Sequence, residues 1–133
     1  MRVVIDTNVI VSGLLSPYGA PGKIVSMLVA GDLEICYDAR IISEYRDVLY
    51  RPKFGFKRSL VDVFIKYIET FGVPISSNPL SSHLRDRDDE PFLQVAISGR
   101  ASCLVTGNTA HYPLKMKPRV YILTPRQFLN RYY

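Results

Sequence analysis

The chain has 133 residues and a mass of 15.1 kDa, a length that suits one domain and leaves little room for a second. Hydrophobic residues at 47% and charged residues at 22% are ordinary globular usage, which argues against disorder, and the short apolar runs exclude a membrane-spanning helix. Seventeen basic against twelve acidic residues give a net charge of +5, which permits a polyanionic partner without requiring one.

In chain order, Val3-Val4-Ile5 reads as a short buried strand that ends at Asp6. Asp6 comes too soon after Met1 for a signal peptide. Pro17 to Pro21 is a turn, and a helix follows with Pro21 in its first turn and Gly31 as its stop; Ile24, Met27 and Leu28 share one face. Leu33–Tyr37 is a second strand. Ile41, Ile42, Tyr45, Val48 and Leu49 then fit helical spacing over Ala39–Tyr50, and Pro52 ends the pattern. Leu60, Val63, Phe64, Tyr67, Ile68 and Phe71 form an apolar helical stripe, which Gly72 closes. Val73–Ser77 suits an edge strand, because Pro74 has no N–H to donate. A polar loop over Pro79–Arg87 leads to a helix over Asp89–Ser98. Ser102–Thr106 and Val120–Leu123 are further strands, and Thr124 caps a last helix with Pro125 at its first position. Strands alternating with helices predict an α/β fold with a central, mostly parallel sheet covered on both faces.

The acids are placed by that topology. Asp6 follows the first strand, and Glu44 lies early in the helix leaving the second strand. Asp89 starts the helix leading into the Ser102–Thr106 strand, and Asn108 follows that strand through Gly107. A helix that leaves a parallel strand, or runs back before the next one, starts at the carboxyl edge, where open α/β sheets place their sites. Four distant segments are therefore expected at one edge. Crowded carboxylates repel and raise one another's pKa values, and a divalent cation with oxygen ligands relieves the repulsion. Such an ion activates water and binds a phosphoryl oxygen. Each residue singly also has an ordinary reading. Asp6 suits an N-cap and Glu44 an exposed helix face. Asp86, Asp88, Asp89 and Glu90 suit a solvated turn, and Asn108 suits a turn.

Val3-Val4-Ile5-Asp6-Thr7-Asn8-Val9-Ile10-Val11-Ser12 resembles the opening motif of the PIN-domain nucleases. Ile42-Ser43-Glu44-Tyr45-Arg46-Asp47-Val48-Leu49, Asp86-Arg87-Asp88-Asp89-Glu90-Pro91-Phe92-Leu93-Gln94-Val95-Ala96 and Leu104-Val105-Thr106-Gly107-Asn108 resemble the later ones, in order. The resemblance implies a single domain over 1–133, built as a three-layer α/β/α sandwich. It further implies Mg²⁺- or Mn²⁺-dependent hydrolysis of RNA. Toxins of toxin–antitoxin pairs are similar. That likeness implies a homodimer or higher homo-oligomer and a cognate antitoxin protein that silences the site. By position, Asp6, Glu44 and Asp89 would be metal-binding and catalytic acids, with Asn108 a fourth catalytic position. Asp86, Asp88, Asn8, Ser12 and Thr106 are secondary candidates, and Thr7 would help shape the pocket. The family often carries an aspartate where this chain has Asn108, which leaves open a weak or inactive RNA- or protein-binding module.

Basic groups at Arg46, Arg51, Lys53, Lys57 and Arg58, and at Lys115, Lys117 and Arg119, suit either RNA phosphates or solvent. Tyr112, Tyr132 and Tyr133 suit either base stacking or packing. Cys36 and Cys103 lie in apolar stretches, and His83 and His111 are far apart. The first observation fits a reducing cytoplasm, and the second, with no Cys-x-x-Cys in the chain, disfavours zinc. Asp6-Thr7-Asn8 lacks the Asp-x-Asp of haloacid dehalogenase-type phosphatases. No Gly-x-Gly-x-x-Gly, Walker or Gly-x-Ser-x-Gly motif occurs, so nucleotide-cofactor and serine-hydrolase readings fall away.

Overall fold

A computed structural model describes residues 1–113 and 120–133. Lys115, Lys117 and Arg119 lie outside the described residues. The elements are β1 (Arg2–Ile5), α1 (Thr7–Leu15), α2 (Ala20–Val29), β2 (Glu34–Tyr37), α3 (Ala39–Leu49), α4 (Arg58–Phe71), β3 (Val73–Pro74), α5 (Glu90–Ser98), β4 (Cys103–Val105), β5 (Tyr121–Leu123) and α6 (Pro125–Tyr132). The strands form one five-stranded sheet in the order β3-β2-β1-β4-β5, and every pairing is parallel.

β1 and β4 are central, with Val3, Val4 and Ile5 opposite Cys103, Leu104 and Val105. All six residues are fully buried. They lack inside–outside alternation because helices cover both faces, so each side chain meets apolar neighbours. Pro74 sits in the outermost strand, where its missing N–H breaks no ladder. That strand is shorter than the Val73–Ser77 expected. Thr124 and Gln127 form a reciprocal capping box at α6.

α4 corrects the expected core face. Val61, Ile65 and Ile68 are buried, whereas Leu60, Val63 and Phe71 are 63%, 66% and 66% exposed. Apolar residues wrap more than half of this helix, so periodicity alone does not choose the phase. The helix packs on α3 and on β2 near the sheet edge, so only one narrow side meets protein. Cys36 and Cys103 are free and buried, and burial pushes their thiols up to about 11 and about 12. Both are thus unreactive core residues.

The start of α2 packs against the backbone of the turn that follows α1. A Cβ on Gly22 would lie 2.2 Å from the Pro17 carbonyl oxygen, an atom that cannot move aside as a side chain can. Gly22→Ala is expected to destabilise the protein by about 2 kcal/mol through overpacking. Denaturant unfolding checks this; an unchanged midpoint would refute the close approach.

Candidate functional site

At the carboxyl edge the backbone of β1 ends in Asp6, which caps α1. Its Oδ1 accepts the Thr7 N–H at 2.9 Å, and its Oδ2 accepts the Thr106 hydroxyl at 2.8 Å and the Tyr112 hydroxyl at 3.3 Å. Asp6 is therefore both a helix cap and a member of the acid group. Thr7 serves two acids, because its hydroxyl donates to Glu44 Oε2. Glu44 sits in the second turn of α3, a helix capped by Asp38, whose side chain accepts the Ile41 N–H at 3.0 Å. Tyr45, the next residue, is fully buried and donates its hydroxyl to the Ile5 carbonyl, locking α3 against β1. Asp89 ends a short 3₁₀ turn, Arg87–Asp89, at the mouth of α5, and its Oδ2 lies 3.0 Å from His111 Nδ1.

The three acids act on one another. Burial raises the pKa of Asp6, although its three hydrogen bonds oppose this. Burial also raises Glu44, and the charges of Asp6, Asp88 and Asp89 add to the rise. Asp89 is raised by burial and then by Asp6 and Asp86, against the opposing effect of His111. Among the described residues, no three His, Cys, Asp or Glu side chains are gathered closely enough to hold an ion by themselves. Two acids, with a third reached through water, still fit Mg²⁺ or Mn²⁺, which take hard oxygen donors, Mg²⁺ keeping several waters.

The secondary candidates divide. Thr106 is fully buried and donates to Asp6, and Asn8 Oδ1 accepts the Gly107 N–H at 3.1 Å, tying α1 to the loop after β4. Asn108 is exposed, and its N–H donates to Thr106 Oγ1 at 3.1 Å. Asp86 caps the 3₁₀ turn by accepting the Asp88 N–H at 2.9 Å. Asp88 is exposed beside Glu44 in a groove. Ser12 is exposed on α1 one turn beyond the acids. Glu90 points elsewhere. It accepts the Leu84 N–H at 2.9 Å and contacts His83 at 3.1 Å, and these partners outweigh burial and lower its pKa.

Tyr112 is 1% exposed, so it does not stack on a base; its ring packs in the core and its hydroxyl serves Asp6. Tyr132 packs on Phe128, and Tyr133 is exposed. Of the basic group on α3 and α4, Arg51 lines the groove beside Glu44. Arg58 lies 4.1 Å from the Tyr50 ring centre and Lys53 lies 5.1 Å from that of Phe54. His111 and Tyr112 as partners of the acids were not foreseen. Their only signal is that they follow the Asn108 turn within a few residues.

The groove, of about 640 Å³, runs from Glu44 and Asp88 past Arg40, Asp47, Arg51 and Arg87. A second hollow, lined by Arg85, Asp86, Arg87 and His111, lies on the far side of Arg87. Arg40 is held by Asp38 at 2.7 Å, whereas Arg51, Arg85 and Arg87 form no salt bridge among the described residues.

A parallel α/β sandwich with acids from separate segments meeting at its carboxyl edge is the architecture of a nuclease class. The family profile of the PIN domain matches residues 2–110, and the chain belongs to that family. It is 27% identical to the uncharacterized protein MJ1680 of Methanocaldococcus jannaschii, over 99% of this chain and 92% of that one. In fold it is similar to a chain in the crystal structure of VapBC2 from Rickettsia felis bound to a DNA fragment from their promoter. The TM-score is 0.57 at 15% identity, covering 92% of this chain and 97% of that one. No described helix is long and apolar enough to cross a membrane.

The raised carboxyls give a signed expectation. A carboxyl with a higher pKa folded than unfolded contributes stability at low pH, and that contribution is lost as pH rises through the folded value. Asp89→Asn should therefore raise the melting temperature of metal-free protein at pH 7 by about 2–4 °C, with a smaller gain near pH 4. Mg²⁺ should stabilise wild type more than the variant. Equal Mg²⁺-induced shifts in thermal melts would count against a shared site.

Proposed function

We propose that this protein is a metal-dependent endoribonuclease, the toxin of a toxin–antitoxin pair acting in the cytoplasm. The observation that carries the reading is the meeting of Asp6, Glu44 and Asp89, from three separate segments: burial raises all three pKa values, and neighbouring carboxylates raise Glu44 and Asp89 further. Membership of the PIN family supports nuclease chemistry, and the Rickettsia felis likeness supports an antitoxin partner.

Asp6, Glu44 and Asp89 would hold Mg²⁺ or Mn²⁺, which when bound neutralises their repulsion, polarises a phosphoryl oxygen and lowers the pKa of a water. Thr7 and Thr106 donate to Asp6, which favours its charged form against burial and aims it. Arg51 and Arg87 border the groove beside Glu44 and suit the phosphates that flank the cut. Water attacks phosphorus in line and the bond to the 3′ oxygen breaks. The water's proton passes to solvent and the departing 3′ oxygen takes one from solvent, so the products are a 5′-phosphate and a 3′-hydroxyl.

Purified protein free of antitoxin should cut RNA with Mg²⁺ or Mn²⁺ and not with EDTA. Asp6→Asn and Asp89→Asn should slow cleavage on the order of 100-fold or more. Cleavage by both variants at the wild-type rate would refute the assignment. RNA affinity that persists in EDTA, with no cleavage under either metal, would instead make the protein a binding module.

A further inference from the structure

The loop after β4 reaches the acids with donors. Tyr112 donates its hydroxyl to Asp6 Oδ2 at 3.3 Å, and His111 Nδ1 lies 3.0 Å from Asp89 Oδ2. An ionised carboxylate only accepts, so Nδ1 carries the hydrogen. A 3₁₀ turn, Thr109–His111, sets the two side chains in place. It is closed by His111 N–H to the Asn108 carbonyl at 3.0 Å and Tyr112 N–H to the Thr109 carbonyl at 3.1 Å. The same loop sends the Asn108 N–H to Thr106 Oγ1, which passes its own hydrogen to Asp6 Oδ2. One short segment thereby holds acids that belong to β1 and to the mouth of α5.

A carboxylate oxygen offers two lone pairs. At Asp6 both on Oδ2 are engaged, by Thr106 and Tyr112, and one on Oδ1 is engaged by the Thr7 N–H. Asp6 is left with a single open direction. Asp89 Oδ2 is engaged by His111 and Glu44 Oε2 by Thr7, while Asp89 Oδ1 and Glu44 Oε1 accept no hydrogen bond among the described residues. Asp89 and Glu44 thus each present one unengaged oxygen, and Asp6 presents the second lone pair of Oδ1. A pair of ions a few ångströms apart needs a carboxylate that reaches both with its two oxygens, and Asp6 has one of its two closed. Asn108 adds no charge that would attract a second cation.

We propose that His111 and Tyr112 are positioning residues, a clamp that fixes Asp89 and Asp6 around one divalent cation, and that this chain binds one such ion, not two. The clamp rests on the reading of these acids as metal ligands. Both residues lie beyond the segment, 2–110, that matches the family profile.

The test is Mn²⁺ binding to the whole chain, read by calorimetry and by the spin-resonance signal of free Mn²⁺, with cleavage measured separately. Wild type should bind one Mn²⁺. Tyr112→Phe keeps the ring and loses the hydroxyl, and should weaken Mn²⁺ binding by about tenfold. His111→Leu should do the same. His111→Asn, whose amide N–H stands where the Nδ1–H stood, should recover most of the affinity, which a merely structural role would not produce. His111 is exposed, so its two variants carry the test if Tyr112→Phe fails to fold. Two Mn²⁺ per wild-type chain would overturn the proposal, and so would unchanged affinity in both Tyr112→Phe and His111→Leu. Intact cleavage with unchanged Mn²⁺ affinity in these variants removes the clamp and leaves the nuclease. Weakened Mn²⁺ binding in a chain that cuts no RNA leaves the clamp and removes the nuclease.

Discussion

Repulsion among carboxylates at one edge of a parallel sheet is the constraint to which the surrounding structure answers. Burial raises the pKa values of Asp6, Glu44 and Asp89, and neighbouring carboxylates raise Glu44 and Asp89 further. Unrelieved, such a group would take up protons and lose its charge. The fold supplies hydroxyl, backbone and imidazole donors, each aimed at a particular oxygen. Thr7 shows the economy of this, because one residue at the start of α1 donates its N–H to Asp6 and its hydroxyl to Glu44.

The placement of the acids was legible because it follows from chain direction alone. Once β1, β2 and β4 are parallel, Asp6, Glu44 and Asp89 must share an edge, whatever the packing details. Pro74 in an edge strand and Thr124 as a cap were legible for similar reasons, since each depends on one local donor or acceptor. The buried face of α4 was not. Leu60, Val63 and Phe71 have the same apolar character as Val61, Ile65 and Ile68, and only the position of the neighbouring helix and strand selects between them. The roles of His111 and Tyr112 were hidden too, because they depend on how a loop turns after β4, which residue spacing does not encode.

Asp89 and Glu90 show how finely environment divides neighbours. Asp89 lies among other acids, which raise it. Glu90 turns back to the Leu84 N–H and His83, whose bonds lower it. The first faces the other acids of the edge. The second pins the stretch leading into α5, and so holds the turn that presents Asp89. Adjacent acids in a run therefore carry unlike duties.

The bond from Tyr112 to Asp6 spans 106 positions of the chain. It forms only after β4 has slotted in beside β1, since the loop that carries Tyr112 hangs from that strand. During synthesis on a ribosome, the nascent polypeptide thus spends most of its emergence with Asp6 lacking its bonds from Thr106 and Tyr112. The carboxyl edge is thus completed last, once stretches from both halves of the sequence have met.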